Sequence, residues 1–528
     1  MAPMAFDPAR VWLYHERLSA IPEEMGRVLE HAACSPNIKE RRDYSCALFD
    51  AQGRLVAQAA HIPVHLGAMP ALMEWLLPRV EWQPGDMVLT NDPYHAGTHL
   101  PDWTLVAPVF VRGRCVGFVA NRAHHADTGG ATPGSMPLAR EIYEEGLRIP
   151  PVYLLRADTL QQDVMRLLLT NVRTPEERQG DLYAQIGANR IGIRRLQSLL
   201  EQEGIEQWLE RFEQLLRYSE AVTRAVLRQL PPGEYSFEDY LDDDGHGTRA
   251  IRIRATVQVP AREPGTIRFD FTGSAPQCAG GVNAPEAVTR SACYYVVRCL
   301  MPTDVPTNAG CWRPVEVVAP EGTVVNARAP AAVAGGNVET SQRIVDVLLG
   351  ALAQALPDRI PAASQGTMNN LLFGGYDPVR QRPFVYYETL AGGAGACPSA
   401  DGASGIHVHM TNTRNTPVEA IESAFPVRVL AYRLAERTGG AGRHRGGDGV
   451  IRTFQFLTET TITLFTDRRR YAPYGLQGGR AGKRGQNRLL IGHRLETEII
   501  KGTVRVPPGS VLTIRTPGGG GWGEPDGV

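Results

Sequence analysis

Apolar residues recur every three or four positions in two long stretches of this chain, and alternate with polar ones through much of the remainder. Pro8–His31 carries the helical spacing. A strand–turn–strand unit follows, with Ser45–Phe49 and Arg54–Gln58 flanking Asp50-Ala51-Gln52-Gly53. His61–Pro70 reads as a loop and Ala71–Leu77 as a short helix. Two apolar runs, Thr104–Val111 and Cys115–Asn121, are joined by Arg112-Gly113, the composition of a two-residue hairpin turn. Gly129–Ile149 is rich in turn residues. Gln161–Leu230 returns to helical spacing in three segments. Thr174 is placed as the cap of the second, Pro175 takes its first position, and Pro231-Pro232 stops the third.

From Gly233 the pattern switches to strands, with alternation over Ala250–Val259 and Thr266–Phe271. Ser291–Leu300 and Thr340–Leu356 are again helical in spacing. Beyond about Phe425 the chain reads as short strands: Ile451–Phe456, Thr460–Phe465, Arg488–Ile491, Thr497–Ile500, Thr503–Val506 and Val511–Ile514. The fold class expected is a mixed α/β (α+β) multi-domain composite. Its regions are 1–160 with the β-hairpin, 161–232 as a central helical block, 233–425 mixed, and 426–528 β-rich as a sandwich or barrel.

A formal net charge of −1 gives no electrostatic case for nucleic acid or an anionic membrane. No apolar run has the length of a bilayer span, and the N-terminal stretch lacks the apolar core of a signal peptide. Eight scattered cysteines without a C-x-x-C pair point to a reduced, cytoplasmic setting. The 55 glycines cluster at 391–405, 439–449, 475–485 and 516–523, where they suit either close backbone approach or surface loops for association.

Candidate chemistry concentrates in Asn91–Asp127, which holds His95, His99, Asp102, His124, His125 and Asp127. Pairing about Arg112-Gly113 sets position i against 225 − i, so Asp102 faces Ala123 and His124 lies one residue further. His99, three residues before Asp102 in a Gly- and Pro-containing loop, can curl back onto the same spot. An isolated histidine is more often a satisfied polar side chain than a ligand. Two clusters at the two ends of one hairpin shift that balance toward a divalent site of the zinc, manganese or iron kind. Strand alternation lets only one of His124 and His125 face it, and His124 is taken, with His125 as an orienting or catalytic partner and Asp127 as an orienting one. Asp43, just before a strand, is a fourth ligand or a general base; a surface ion pair is its ordinary alternative. Asn91, Asp92, Arg122 and His65 are candidates for binding substrate, and His65 alternatively for orienting a ligand. No G-x-x-x-x-G-K-[ST] phosphate loop is present, nor a Gly-x-Ser-x-Gly elbow.

Several long motifs carry a resemblance. They are ERRDYSCALFDAQGRLVAQAAHIPVHLGAMP at 40–70, GDMVLTNDPYHAGTHLPDWTLVAPVF at 85–110 and NRAHHADTGGATPGSMP at 121–137. EIYEEGLRIPP at 141–151, NVRTPEERQGDL at 171–182 and the ending TPGGGGWG at 516–523 complete the set. Over nearly its whole length the chain resembles the hydantoinase B/5-oxoprolinase B subunit family, related to the alpha subunits of acetone and acetophenone carboxylases. The resemblance implies a separate A-type subunit of actin-like ATPase fold. That subunit uses ATP and Mg to phosphorylate the carbonyl oxygen of a lactam or cyclic imide. It also implies a metal centre on the B-type partner, where the activated ring is opened by water. In the related carboxylases a His-x-x-Asp pair and a downstream histidine bind the metal, matching His99, Asp102 and His124. The implied assembly is an A2B2 or larger heteromer. The alternatives are an alpha-type subunit of an ATP-dependent ketone carboxylase and a non-catalytic stabilising subunit.

Overall fold

The computed structural model describes residues 8–525 except 60, 492, 493 and 497. It is a mixed α/β composite of several antiparallel sheets, none closed into a barrel. The first sheet is built from β1 (Tyr44–Asp50), β2 (Leu55–Gln58), β3 (Met87–Thr90), β4 (Asp102–Val111), β5 (Arg114–His124), β6 (Val152–Arg156) and β7 (Thr159–Leu160). Their spatial order is β2-β1-β5-β4-β3-β6-β7. Both faces are covered, which is why β1 is buried along its whole length. Helices Pro8–Ala32, Pro175–Glu203 and Ile205–Leu227 pack on one face against Tyr44, Cys46, Trp103, Leu105 and Val119. Helix His65–Leu76 packs on the other against Ala47, Phe49, Val106, Phe118 and Ala120. Neighbouring residues of β4 and β5 therefore see different surroundings.

The hairpin turn forms as its composition dictates, with Arg112 at φ 51° and Gly113 at φ 77°. Val111 faces Arg114 and Phe110 faces Cys115, the register expected from the sequence. A β-bulge between Val109 and Phe110 then shifts the pairing by one residue. Beyond it Val109 faces Gly117, Trp103 faces Ala123, and Asp102 faces His124 directly rather than Ala123.

A second core joins the sheet of Gly233–Asp243, Arg249–Val259, Ile267–Asp270 and Val315–Val318 to helices Glu286–Leu300 and Ser341–Ala355. A third lies between two sheets packed face to face. One contains Asn370–Asp377, Arg382–Glu388, Thr460–Phe465 and Lys501–Val506; the other contains Val427–Ala435, Gly449–Phe456, Gln486–Ile491, Arg494–Glu496 and Val511–Arg515. The glycine-rich segments are spent on one another. Gly393 N donates to Pro517 O, Gly447 N to Ala394 O and Gly440 N to Gly519 O. A Cβ on Gly393 would lie 2.0 Å from Gly447 O, so these crossings need glycine.

Three local expectations differ. The helix expected from Ala71 starts at His65, because Ser291 Oγ accepts from Gly67 N and Ala68 N and satisfies its first turn from another helix. Thr174 stands at the N-cap of Pro175–Glu203 but makes no capping hydrogen bond. Of the strand expected at 497–500, Thr497 lies outside the described residues and 498–500 are not in a strand. No helix among the described residues is long and apolar enough to cross a membrane. All eight cysteines are unpaired.

Candidate metal centre

The loop between β3 and β4 is folded tightly. Asp92 Oδ1 accepts from Tyr94 N, Ala96 takes the left-handed conformation at φ 65°, and a Cβ on Gly97 would lie 2.5 Å from Asp92 O. Asn91 ties the loop down by donating to Leu100 O and Leu147 O and accepting from Ile149 N. The loop ends in a turn in which Asp102 N donates to His99 O at 3.1 Å, setting the His99 ring over Asp102. On the neighbouring strand, His124 N donates to Asp43 O, drawing Asp43 to the same place.

His99, Asp102 and His124 converge as a result, with one ligand atom from each lying within 4.8 Å of the others. His99 Nε2 is 3.3 Å from Asp102 Oδ2, and His124 Nδ1 is 3.4 Å from Asp102 Oδ1. A tetrahedral ion with bonds near 2.0–2.1 Å has ligand-to-ligand edges of about 3.3–3.4 Å, so this spacing fits a cation between them. All three residues are buried. Burial alone would raise the Asp102 carboxyl, but the imidazoles of His99 and His65 and the hydrogen bonds from His124 and His65 hold it well below the usual range. Burial lowers His124 and His65 against the pull of Asp102, which favours the neutral imidazole, the form that binds metal.

The surroundings fix the carboxylate. His65 Nε2 sits 3.2 Å from Asp102 Oδ2 and its Nδ1 pairs with Ser45 Oγ at 2.8 Å; Thr98 Oγ1 donates to the same Asp102 oxygen. His65 thus touches a candidate ligand rather than standing free for substrate. Replacing it with alanine is expected to weaken metal affinity about 10–100-fold, the cost of losing a partner that orients a ligand. Competition with a chromogenic chelator measures this, and unchanged affinity would refute the orienting role. Asp43 Oδ2 lies 3.9 Å from His124 Nδ1 and 3.8 Å from Arg41.

Two groups from distant parts of the chain complete the enclosure, and no periodicity or spacing announced them. Tyr387, in the strand Arg382–Glu388, stacks on His124 with ring centroids 4.5 Å apart and donates to Asn370 Oδ1. Asn337, from a π-helical turn at Gly336–Thr340, places Nδ2 3.2 Å from His99 Nε2. The double glycine Gly335-Gly336 just before it is the sequence signal that marked a special backbone. The site therefore sits where the first sheet meets the second core, to which the Tyr387 ring belongs.

Five other candidates are placed differently. His125 points to the opposite face, stacked on Trp103 at 4.2 Å with Nε2 3.0 Å from Gln185 Oε1, so it is not a catalytic group of this centre. Asn91 is consumed by the backbone bonds above. Asp92 pairs with His95 and Arg148, and Asp127 with Arg173. Arg122 is fully buried, donates to Thr104 Oγ1 at 2.8 Å and retains one nitrogen without a partner; burial pulls it down to about 10. It faces the centre's side of the sheet without reaching the three residues by any hydrogen bond.

Burial also pulls His61 down to about 3 and His125 and His407 down to about 4. Unfolding restores these imidazoles to about 6.5, so below that pH the unfolded chain binds more protons. Their stabilising contribution is complete above pH 6.5 and is lost as pH falls toward 4, at about 1.4 kcal/mol per pH unit for each imidazole. The thermal midpoint of the metal-free chain is expected to fall steeply from pH 6.5 to 4.5; a flat profile would contradict it.

Fold and geometry together give an α/β protein with a sheet-borne imidazole–carboxylate centre, enclosed between its first sheet and its second core. The chain belongs to the hydantoinase B/oxoprolinase family, whose sequence profile matches residues 7–525. It is 39% identical over 556 residues to 5-oxoprolinase 1 of Arabidopsis thaliana, covering 99% of this chain and 42% of that protein. The chain thus spans about two fifths of the length of that relative. It is 32% identical to a protein of Pseudomonas sp. (strain NS671) assigned by name, rather than by demonstrated activity, as the B-type component of a D-/L-hydantoinase, covering 98% and 90% of the two. Among solved structures, the ATP-dependent caprolactamase from Pseudomonas jessenii superposes with a TM-score of 0.91 at 30% identity, covering 98% of this chain and 92% of that one. Acetone carboxylase shares the fold, with a TM-score of 0.90 at 20% identity over 98% of this chain and 76% of that one.

Proposed function

We propose that this chain is the B-type subunit of an ATP-dependent hydantoinase/5-oxoprolinase-type amidohydrolase. It opens a phosphate-activated lactam or cyclic imide ring at a divalent metal centre held by His99, Asp102 and His124. ATP and Mg are used on a separate A-type subunit of actin-like ATPase fold, in an A2B2 or larger heteromer. The observation that carries this reading is the convergence of those three buried side chains at ligand spacing. The names of the relatives support the cyclic amide as substrate class, since 5-oxoprolinase and caprolactamase both name one. The absent phosphate loop supports a partner that handles ATP. The unpaired cysteines agree with a cytoplasmic setting.

Amides resist water because resonance stabilises the carbonyl and nitrogen leaves poorly. Phosphorylation of the oxygen makes the ring carbon electrophilic. A divalent ion, once bound, supplies Lewis-acid chemistry that makes water nucleophilic near neutral pH or polarises the substrate. The chain's own residues set the stage. His65, Ser45 and Thr98 hold Asp102 ionised and oriented, and the Tyr387 ring covers one face of His124 and excludes water there. Asp43 Oδ2, at the edge of the cluster, is placed to take the proton released as water adds.

The test is co-expression with an A-type subunit and measurement of ADP and ring-opened product across lactams and cyclic imides, with and without bicarbonate. ADP and product are expected together, only with both subunits present. Turnover by the isolated chain would contradict the division of labour. Net carboxylation that needs bicarbonate would assign the chain to the ketone carboxylases. Full activity of ligand variants would leave it a stabilising subunit.

A further inference from the structure

Besides the three inferred ligands, Asn337 reaches the centre from another part of the fold and has no settled partner. It is 5% exposed, its Nδ2 lies 3.2 Å from His99 Nε2, and its Oδ1 is buried without a hydrogen bond. Its backbone is firmly held. Ser341 Oγ donates to Asn337 O at 2.7 Å, and Glu145 Oε1 accepts from Val333 N and Ala334 N just upstream. A Cβ on Gly336 would lie 1.9 Å from Asn283 O, so the turn is pressed against its neighbour. The turn is π-helical, a geometry that gathers at functional sites. A rigid backbone thus presents a side-chain amide whose hydrogen-bonding capacity is unspent, an arrangement that calls for an explanation.

His99 Nε2 is also the nitrogen that faces Asp102. A nitrogen that gives its lone pair to a cation cannot also accept from Asn337. Loading the centre therefore frees both ends of the amide, beside the place where the ring carbon would react.

We propose that Asn337 reads the ring amide of the substrate and so selects cyclic over open-chain secondary amides. This rests on the function proposed above. A ring locks its amide cis and shows N–H and C=O along one edge, whereas an open-chain secondary amide, trans, points them apart. To a ring that meets this centre before its activation, the primary amide of Asn337 is the complement of that edge: Nδ2–H donates to the ring oxygen and Oδ1 accepts from the ring N–H. After O-phosphorylation the ring nitrogen carries no proton and becomes an acceptor, and half a turn about Cβ–Cγ brings Nδ2–H to it. A side chain that only accepts can meet the first state in part and the second not at all.

The experiment uses the complex with the A-type subunit, with 5-oxoproline and hydantoin as ring substrates, and compares wild type with Asn337→Asp and Asn337→Ala. The aspartate keeps the size of the side chain and removes its donor, so it carries the test if the alanine variant misfolds. Metal per chain and thermal midpoint are expected to match wild type. KM for the ring should rise, and ring-opened product per ADP should fall at least about tenfold, because a site built to hydrogen-bond a group discriminates strongly when one partner is lost. Wild-type KM and coupling in both variants would overturn this role alone. Loss of metal from both would overturn it in favour of Asn337 as a ligand. A wild-type complex that opens neither ring nor any other cyclic amide would overturn the proposed function and this role with it.

Discussion

Replacing Asp102 with alanine is expected to strip the chain of its metal and to lower ATP-coupled ring opening by at least about 10³-fold. An ion in such a site supplies several kcal/mol, and each 1.4 kcal/mol is a factor of ten. Asp102 touches both imidazoles of the centre, through different oxygens. It would also be the anion that balances a bound cation in a buried setting, where an uncompensated charge is costly. The fold should survive. Asp102 pairs at the end of β4, and what it leaves behind is His65 Nε2, His124 Nδ1 and the Thr98 hydroxyl, at about 1–3 kcal/mol for each unsatisfied group. Metal analysis, circular dichroism and coupled turnover read the three consequences separately. A variant that kept its metal and its activity would remove Asp102 from the centre.

The largest effect on stability is expected from Asp467→Asn, about 3–5 kcal/mol, the range for breaking a buried ion pair from one side. Asp467 follows the strand Thr460–Phe465 and accepts from Arg343 at 3.0 Å and Lys501 Nζ at 2.8 Å, all three side chains fully buried. Burial would raise its carboxyl, yet the charges of Lys501 and Arg343 bring it down to about 2. Asparagine keeps the shape but takes from two buried cations their closest carboxylate, leaving Asp239 at 3.5 Å from Arg343 and Asp243 at 3.9 Å from Lys501. Arg343 belongs to helix Ser341–Ala355, and Asp242 N, at the end of the strand Gly233–Asp243, also donates to Asp467. The network therefore pins the sandwich to the second core, next to the turn that carries Asn337. Chemical denaturation should show the loss, and activity per folded molecule should fall with it as the turn loosens. A midpoint equal to wild type would show the network to be dispensable.

How much of this was legible in the sequence follows from how local each feature is. The hairpin was legible because Arg112-Gly113 dictates its own turn, and because alternation decides faces without reference to the rest of the fold. That same locality put His99, Asp102 and His124 in one place on paper. The bulge at Val109/Phe110 was not legible, because a one-residue slip depends on how β5 also pairs with β1. Alternation correctly allows only one of His124 and His125 to face the centre; giving the other a catalytic role overlooked that its face looks toward Gln185 on a helix. The start of helix His65–Leu76 depended on Ser291, more than two hundred residues away. Tyr387 and Asn337 were out of reach for the same reason, since nothing within a few residues of either speaks of the histidines they meet.

The most direct test of the central claim is an anomalous difference map from crystals of the chain as purified, collected at the absorption edge of the metal found in it. One strong peak is expected between His99 Nε2, Asp102 and His124 Nδ1, within about 2.3 Å of each. The peak should vanish in the Asp102→Ala variant and persist in His125→Ala. A chain that couples ATP use to ring opening while its map shows no peak there, or a peak elsewhere, would contradict the claim.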